Sequence, residues 1–190
     1  MKFLITGING FVGPHLKNKL IKEGHNICGI GRHIGIDLTI KSNVYLLLKN
    51  NHYDGIFNLA ALTHPPTSFQ TPDVYFTNNT SIAINLCSAI KKYQPNCILM
   101  NCSTSEVYGI TDDTKKIDEH FPMNPMNPYG VSKAAVDLYC IERFKNNIIN
   151  GFTTRAFSHT GPGRPENYSI SSDAIQIARI IKEKQRPTIK

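Results

Sequence analysis

Thr6-Gly7-Ile8-Asn9-Gly10-Phe11-Val12-Gly13, preceded directly by Lys2-Phe3-Leu4-Ile5, decides how the rest of the chain is read. The first four residues are dominated by apolar side chains and read as a buried parallel strand, bounded at once by glycine. An amphipathic run (Phe11, Leu16, Leu20, Ile21) then continues to Gly24 and predicts a helix. Between strand and helix, each glycine has a mechanical task. Gly7 allows the tight turn, Gly10 lets the backbone approach a pyrophosphate, and Gly13 lets the helix pack against the strand. The helix start adds unpaired N–H groups and the positive end of the helix dipole, which suit a dinucleotide diphosphate. The spacing is G-x-x-G-x-x-G rather than G-x-G-x-x-G, so the position of the turn between strand and helix carries the reading.

Beyond this turn, strands and helices alternate, the pattern of an α/β fold with a doubly wound parallel sheet. The second strand, Asn26–Ile30, ends at Gly31-Arg32. At this place an acidic residue would hold a ribose 2′-hydroxyl, whereas an arginine accommodates a 2′-phosphate, so Arg32 favours NADP(H) and leaves NAD(H) open. Asp37 and Leu38 follow, either near the adenine or with Asp37 as a turn or N-cap residue for a helix running from Val44 to Lys49. The third strand, residues 55–59, runs into Ala60-Ala61, whose small side chains would let a cofactor lie along the main chain. A proline-containing loop, Thr63 to Pro72, is a candidate substrate-facing loop. It leads into a helix from about Asp73 to Tyr93 with Ile82, Leu86, Ala89 and Ile90 as its buried face. Asn79, near the middle of that helix, either braces neighbouring backbone or is a surface amide.

The fourth strand, residues 97–102, delivers Ser103-Thr104-Ser105-Glu106-Val107-Tyr108-Gly109 at its carboxyl end. After a charged loop and a proline-rich segment, Tyr129-Gly130-Val131-Ser132-Lys133 opens a helix reaching about Phe144. Tyr129 and Lys133 are four residues apart and project from one helix face. A phenol titrates near 10, so a tyrosine that shares its proton at neutral pH needs a nearby cation, which Lys133 is placed to supply while also binding a ribose hydroxyl. Thr104 is placed to hydrogen-bond the same substrate oxygen, and the set predicts proton donation from Tyr129 to a carbonyl that accepts hydride from a nicotinamide. A fifth strand is expected over 151–157, a rigid loop over 158–164 and a last helix over about 172–183.

Composition narrows the classes. The chain has 190 residues, enough for one well-buried domain, and carries a formal charge of +7 from 21 Lys+Arg against 14 Asp+Glu. Its lysines are scattered (Lys17, Lys19, Lys22, Lys91, Lys92, Lys115, Lys116, Lys182, Lys184) rather than gathered with aromatics on one face, which argues against nucleic acid. No apolar run approaches a membrane span and the first residues are a strand, so no membrane partner is expected and a cytoplasmic location is. Cys28, Cys87, Cys97, Cys102 and Cys140 form no C-x-x-C pair and read as reduced, buried, small apolar residues, three of them (28, 97, 102) inside strands, with no metal site.

Taken together, T-G-I-N-G-F-V-G (6–13), D-L (37–38), N-L-A-A (58–61), S-T-S-E-V-Y-G (103–109), Y-G-V-S-K (129–133) and R-A-F-S-H-T-G-P-G (155–163) resemble an extended short-chain dehydrogenase/reductase of the NAD-dependent epimerase/dehydratase family. The resemblance implies a Rossmann-like fold, chemistry at C4 of a nucleotide sugar, and Thr104, Tyr129 and Lys133 as the catalytic triad. The set it implies around the dinucleotide is Gly7, Asn9, Gly10, Phe11, Val12, Gly13, Arg32, Asp37, Leu38, Leu59, Ala60, Ala61, Asn79, Tyr129, Lys133 and His159. Within the family, P-M-N-P-Y-G-V-S-K-A (125–134), T-R-A-F-S-H-T-G-P-G (154–163) and E-K-Q-R-P-T-I-K (183–190) are most similar to reductases of GDP-4-dehydro-6-deoxy-mannose. Glu106 stands where family dehydratases carry a base and where reductases also keep a glutamate, so dehydratase and epimerase chemistry stay open, as does a non-catalytic relative that only binds dinucleotide. Ala156, Ser158 and Arg164 depart from the family pattern. The expected organisation is a single dinucleotide-binding domain over residues 1–190, with the family's C-terminal substrate domain missing or truncated, and a homodimer built through the helix bearing Tyr129 and the long helix before it.

Overall fold

The computed structural model describes residues 1–31, 35–112, 114, 116 and 117–189. Five strands form one parallel sheet: β1 (Lys2–Thr6), β2 (Asn26–Ile30), β3 (Gly55–Asn58), β4 (Ile98–Cys102) and β5 (Asn150–Thr154), in the order β2-β1-β3-β4-β5. The order reverses between β1 and β3, a topological switch point of the kind that opens a ligand crevice at the carboxyl ends of the strands. The turn after β1 and the Leu59–Ala61 segment after β3 both leave the sheet there.

Alternation along β1 sends neighbouring residues to opposite faces. Leu4 joins the larger core with Ile56, Leu99, Val44, Leu86, Ile90 and Cys140, which places α2 (Lys41–Asn50), α4 (Pro72–Tyr93) and α5 (Pro128–Lys145) on that face. Ile5 joins a smaller cluster with Ile8 and Leu20, where α1 (Val12–Lys22) covers the other face. Burial in α1 is narrower than its apolar pattern implies: Leu20 is buried, Phe11 and Leu16 are half-buried, and Ile21 is 49% exposed. In α4, the expected face of Ile82, Leu86, Ala89 and Ile90 is the one buried.

Several boundaries differ from the sequence reading for local reasons. The loop after β3 contains a one-turn helix, α3 (Pro65–Ser68), started by proline and by the His64 ring accepting from Thr67 N. Asp37 does not cap α2; Ile40 occupies that place, and Asp37 Oδ1 instead accepts from Thr39 N (2.8 Å) and Thr39 Oγ1 (2.7 Å) in an Asx turn. β5 ends at Thr154, short of the expected Phe157, although Ala156 O still accepts from Ser105 N (2.9 Å). Cys97 lies just before β4, and Cys28 and Cys102 are half-buried rather than buried; all five cysteines are free thiols.

The chain divides into two compact units, Met1–Phe157 and Ser158–Lys190. The second carries α6 (Ser169–Ile181), which begins three residues before the expected start. In this unit Arg179 forks onto Glu166 (2.7 and 3.3 Å), and the Arg164 guanidinium stacks 3.8 Å from the Tyr168 ring centroid. No helix among the described residues is long and apolar enough to cross a membrane.

Candidate active site

The turn after β1 is built from backbone. Gly7 adopts φ +69°, where a side chain would strain the chain and its Cβ would sit 2.9 Å from the Leu59 and Ala60 backbone. Gly10 N donates to Gly7 O (2.9 Å) and Ile8 N to Ile30 O (3.1 Å), closing the turn onto β2. A Cβ on Gly13 would lie 2.1 Å from Ile8 O, so only glycine lets α1 approach β1 this closely. Gly10 and Asn9 are exposed at the switch point. Among the described residues no side chain caps the start of α1 and no acidic residue stands in its first turn, an electrostatic setting that suits a bound diphosphate. Arg32, read as the ribose-phosphate residue, lies outside the described residues. Leu38 is a core side chain, 6% exposed, and its carbonyl accepts from Asn85 on α4 (3.0 Å).

A row of polar side chains crosses the sheet directly behind this turn. Thr6, Asn58, Asn101 and Thr153 share one register row on four adjacent strands. Thr6 Oγ1 donates to Asn58 Oδ1 (2.9 Å), Asn58 Nδ2 to Asn101 Oδ1 (3.3 Å), and Asn101 Nδ2 to Thr153 Oγ1 (3.2 Å). Ala60 N donates to Thr6 Oγ1 (3.1 Å), which seats the Leu59–Ala61 segment against the glycine turn. The sequence reading missed this ladder. A polar residue at the same point near the end of successive strands was its only available signal.

The second half of the site is the corner between β4 and α5. Thr104 is the N-cap of a single 3₁₀ turn (Ser105–Val107), its Oγ1 accepting from Glu106 N at 3.3 Å. Glu106 Oε2 accepts from Asn127 Nδ2 (2.7 Å), and Asn127 Oδ1 in turn caps α5 by accepting from Gly130 N (2.7 Å). The start of the helix bearing Tyr129 is thus tied to the strand end bearing Thr104. Tyr129 and Lys133 are both buried, 8% and 5% exposed, one turn apart on α5. Lys133 Nζ donates to Cys102 O (2.5 Å), the carbonyl that closes β4. Burial pushes the Lys133 ammonium below the ordinary lysine range, while Cys102, Cys140 and Asp137 pull the other way.

Asn79 is a brace and not a surface amide. Its Oδ1 accepts from Leu62 N (2.8 Å), and its Nδ2 donates to Leu62 O (3.1 Å) and Ser132 Oγ (2.8 Å). Ser132 Oγ donates onward to Tyr129 O (2.7 Å), so the loop after β3 is linked through α4 to the first turn of α5. His159, exposed, belongs to the second unit.

Residues 3–190 match the NAD dependent epimerase/dehydratase family. The chain belongs to that family. Among the relatives of this family member, the GDP-6-deoxy-D-mannose reductase of Pseudomonas aeruginosa is 29% identical over 188 residues, covering 94% of this chain and 59% of the relative. Among solved structures, RMD from Pseudomonas aeruginosa complexed with NADPH superposes with a TM-score of 0.86 at 28% identity, covering 97% of this chain and 62% of the other. A Thermus thermophilus UDP-glucose 4-epimerase in complex with NAD shares the fold at a TM-score of 0.86 and 23% identity, with 96% and 63% covered. The family member therefore spans about three fifths of the length of these proteins. The Rossmann-like parallel sheet follows from this kinship; the two solved structures hold NADPH and NAD respectively.

Proposed function

We propose that this chain carries the cofactor and catalytic half of an NADP(H)-dependent nucleotide-sugar reductase acting on the C4 keto group of GDP-4-dehydro-6-deoxy-mannose. The observation that carries the reading is the buried amino group of Lys133, held by the Cys102 carbonyl one helical turn from buried Tyr129 and two residues in sequence from Thr104. Burying an ammonium is costly, and proteins retain such a group where its charge is used.

Bound at the switch point, the dinucleotide supplies hydride. Gly7, Asn9, Gly10, Phe11, Val12 and Gly13 form the turn around its diphosphate, and Leu59, Ala60 and Ala61 flank it with small or half-buried side chains. Tyr129 donates its hydroxyl proton to the sugar O4, Lys133 favours the resulting phenolate by its charge, and Thr104 donates a hydrogen bond to the same oxygen. In the dehydratase alternative Glu106 is the base. The Asn127 amide on Glu106 Oε2 gives that carboxylate a structural task in the α5 cap and supports the reductase instead.

The test is NADPH consumption with the 4-keto sugar, against product analysis with GDP-mannose. Reduction of the keto sugar supports the proposal, and conversion of GDP-mannose to its 4-keto product supports the dehydratase. Binding of dinucleotide without turnover of either supports the binding-only reading. The same helices are proposed to form a homodimer. Phe76 and Ile84 on α4 and Val131 and Leu138 on α5 are 45%, 44%, 44% and 58% exposed, forming apolar stripes at helical spacing. Leu138→Asp is expected to yield a monomer in sedimentation if the wild type is a dimer by this face; an unchanged dimer contradicts it.

A further inference from the structure

Asp137 lies four residues beyond Lys133 on α5, hence on the same helix face, and is wholly buried. Its Oδ2 accepts from Arg155 Nε at 2.8 Å, just past the end of β5. Its Oδ1 is buried with no hydrogen-bond partner among the described residues. A buried carboxylate ordinarily satisfies both oxygens, and an orphaned one is costly to keep. Arg155 does not spend its whole guanidinium on Asp137: Nη1 donates to Glu119 O (2.7 Å) and Tyr108 Oη (3.2 Å). The carboxylate is therefore anchored on one side and left with charge to spare on the other.

Lys133 needs such charge. Its amino group is bonded to the Cys102 carbonyl, a neutral acceptor, at a position where desolvation favours the uncharged amine. The titratable groups that act on it are Cys102 at the end of β4 and Asp137 and Cys140 on α5, with Tyr129 one turn away. Asp137 is the one carboxylate among them, acting after Cys102 and Cys140, with Lys133 four residues away on its own helix and Arg155 paired to it from just past β5.

We infer that Asp137 is a positioning residue acting through Lys133: it supplies the buried counter-charge that keeps the ammonium protonated, and Arg155 sets how much of that charge Lys133 receives. The catalytic meaning rests on the function proposed above; the electrostatic claim does not. A purely structural tie between α5 and β5 would be damaged in the same way by removing either partner. A shared counter-charge responds with opposite signs.

The experiment is an NMR pH titration of the full chain labelled with ¹³C at lysine Cε, the Lys133 resonance being identified by its loss in Lys133→Met. Asp137→Asn is expected to lower the Lys133 midpoint by a resolvable few tenths of a unit or more, and Asp137→Glu to restore most of it. Arg155→Gln is expected to raise it, because the full carboxylate charge then falls to Lys133. A folded Asp137→Asn protein with an unmoved midpoint overturns the inference. If Asp137→Asn does not fold, Arg155→Gln decides: a raised midpoint supports the counter-charge, and an unchanged or lowered one overturns it. Absence of dinucleotide binding by the wild type would remove the proposed function and leave this titration to judge Asp137 alone.

Discussion

The glycine turn and the β4–α5 corner are built in opposite ways. In the turn, the geometry depends on atoms that are missing: a Cβ on Gly13 would collide with Ile8 O at 2.1 Å, and Gly10 stays bare and exposed. In the corner, function depends on side chains held by others, from Glu106 through Asn127 to the α5 start, and from Asn79 through Ser132 to Tyr129. The comparison teaches that binding and chemistry are separable here. Substitutions in the turn should act on affinity and those in the corner on turnover, except at Lys133, which is proposed to bind the dinucleotide ribose as well.

The largest separation is expected from Tyr129→Phe. It should lower kcat for the 4-keto sugar by about 10³-fold, within the range for loss of a positioned acid, and leave the dinucleotide Kd within about threefold. A matching loss of affinity would merge the two regions. Next in size is Lys133→Met, which should weaken dinucleotide binding and yet raise thermal stability. The lysine's folded pKa lies below its ordinary 10.5, so the native state binds fewer protons than the unfolded chain between those values. Wild-type stability therefore rises with pH through that window, and the advantage of Lys133→Met should be widest at neutral pH and close as pH nears 10.5. Melting curves across pH check this; an advantage that grows with pH has the wrong sign. The smallest effect belongs to Asn127→Ala, which removes the α5 cap and frees Glu106. A loss of about 1 kcal/mol in urea unfolding is expected, with a modest drop in kcat. No change in either would show that the cap does not order the corner.

How much of this was legible in the sequence follows from the same contrast. Features specified by what one residue can do alone were readable: the glycine turn, the five strands, the paired placement of Tyr129 and Lys133, and the buried face of α4. Features that need two distant residues to meet were not. The row of Thr6, Asn58, Asn101 and Thr153 spans four strands, and nothing local to any of them announces a partner up to 52 residues away. Arg155 lay inside a quoted motif and Asp137 three residues beyond another, yet only the packing of α5 against the end of β5 reveals the pair. Asp37 was readable as a turn or a cap, and the chain uses it for an Asx turn, because α2 starts four residues later, at Lys41, after Ile40. Asn79 was left between two readings, and only its bonds to Leu62 and Ser132 resolve it as a brace.

The central claim is that the turn after β1 anchors a dinucleotide whose nicotinamide end reaches the Tyr129–Lys133 corner. Fluorescence titration of the wild-type chain and Gly10→Val with NADPH and NADH tests it most directly, since Gly10 is exposed and, among the described residues, a Cβ there meets Gly7 O alone at 3.2 Å, a contact that a shift of a few tenths of an ångström in the turn relieves. The account predicts saturable binding by the wild type, tighter for NADPH, and a loss of about 100-fold in Gly10→Val, near 3 kcal/mol. No binding by the wild type, or equal binding by a folded Gly10→Val protein, would contradict it.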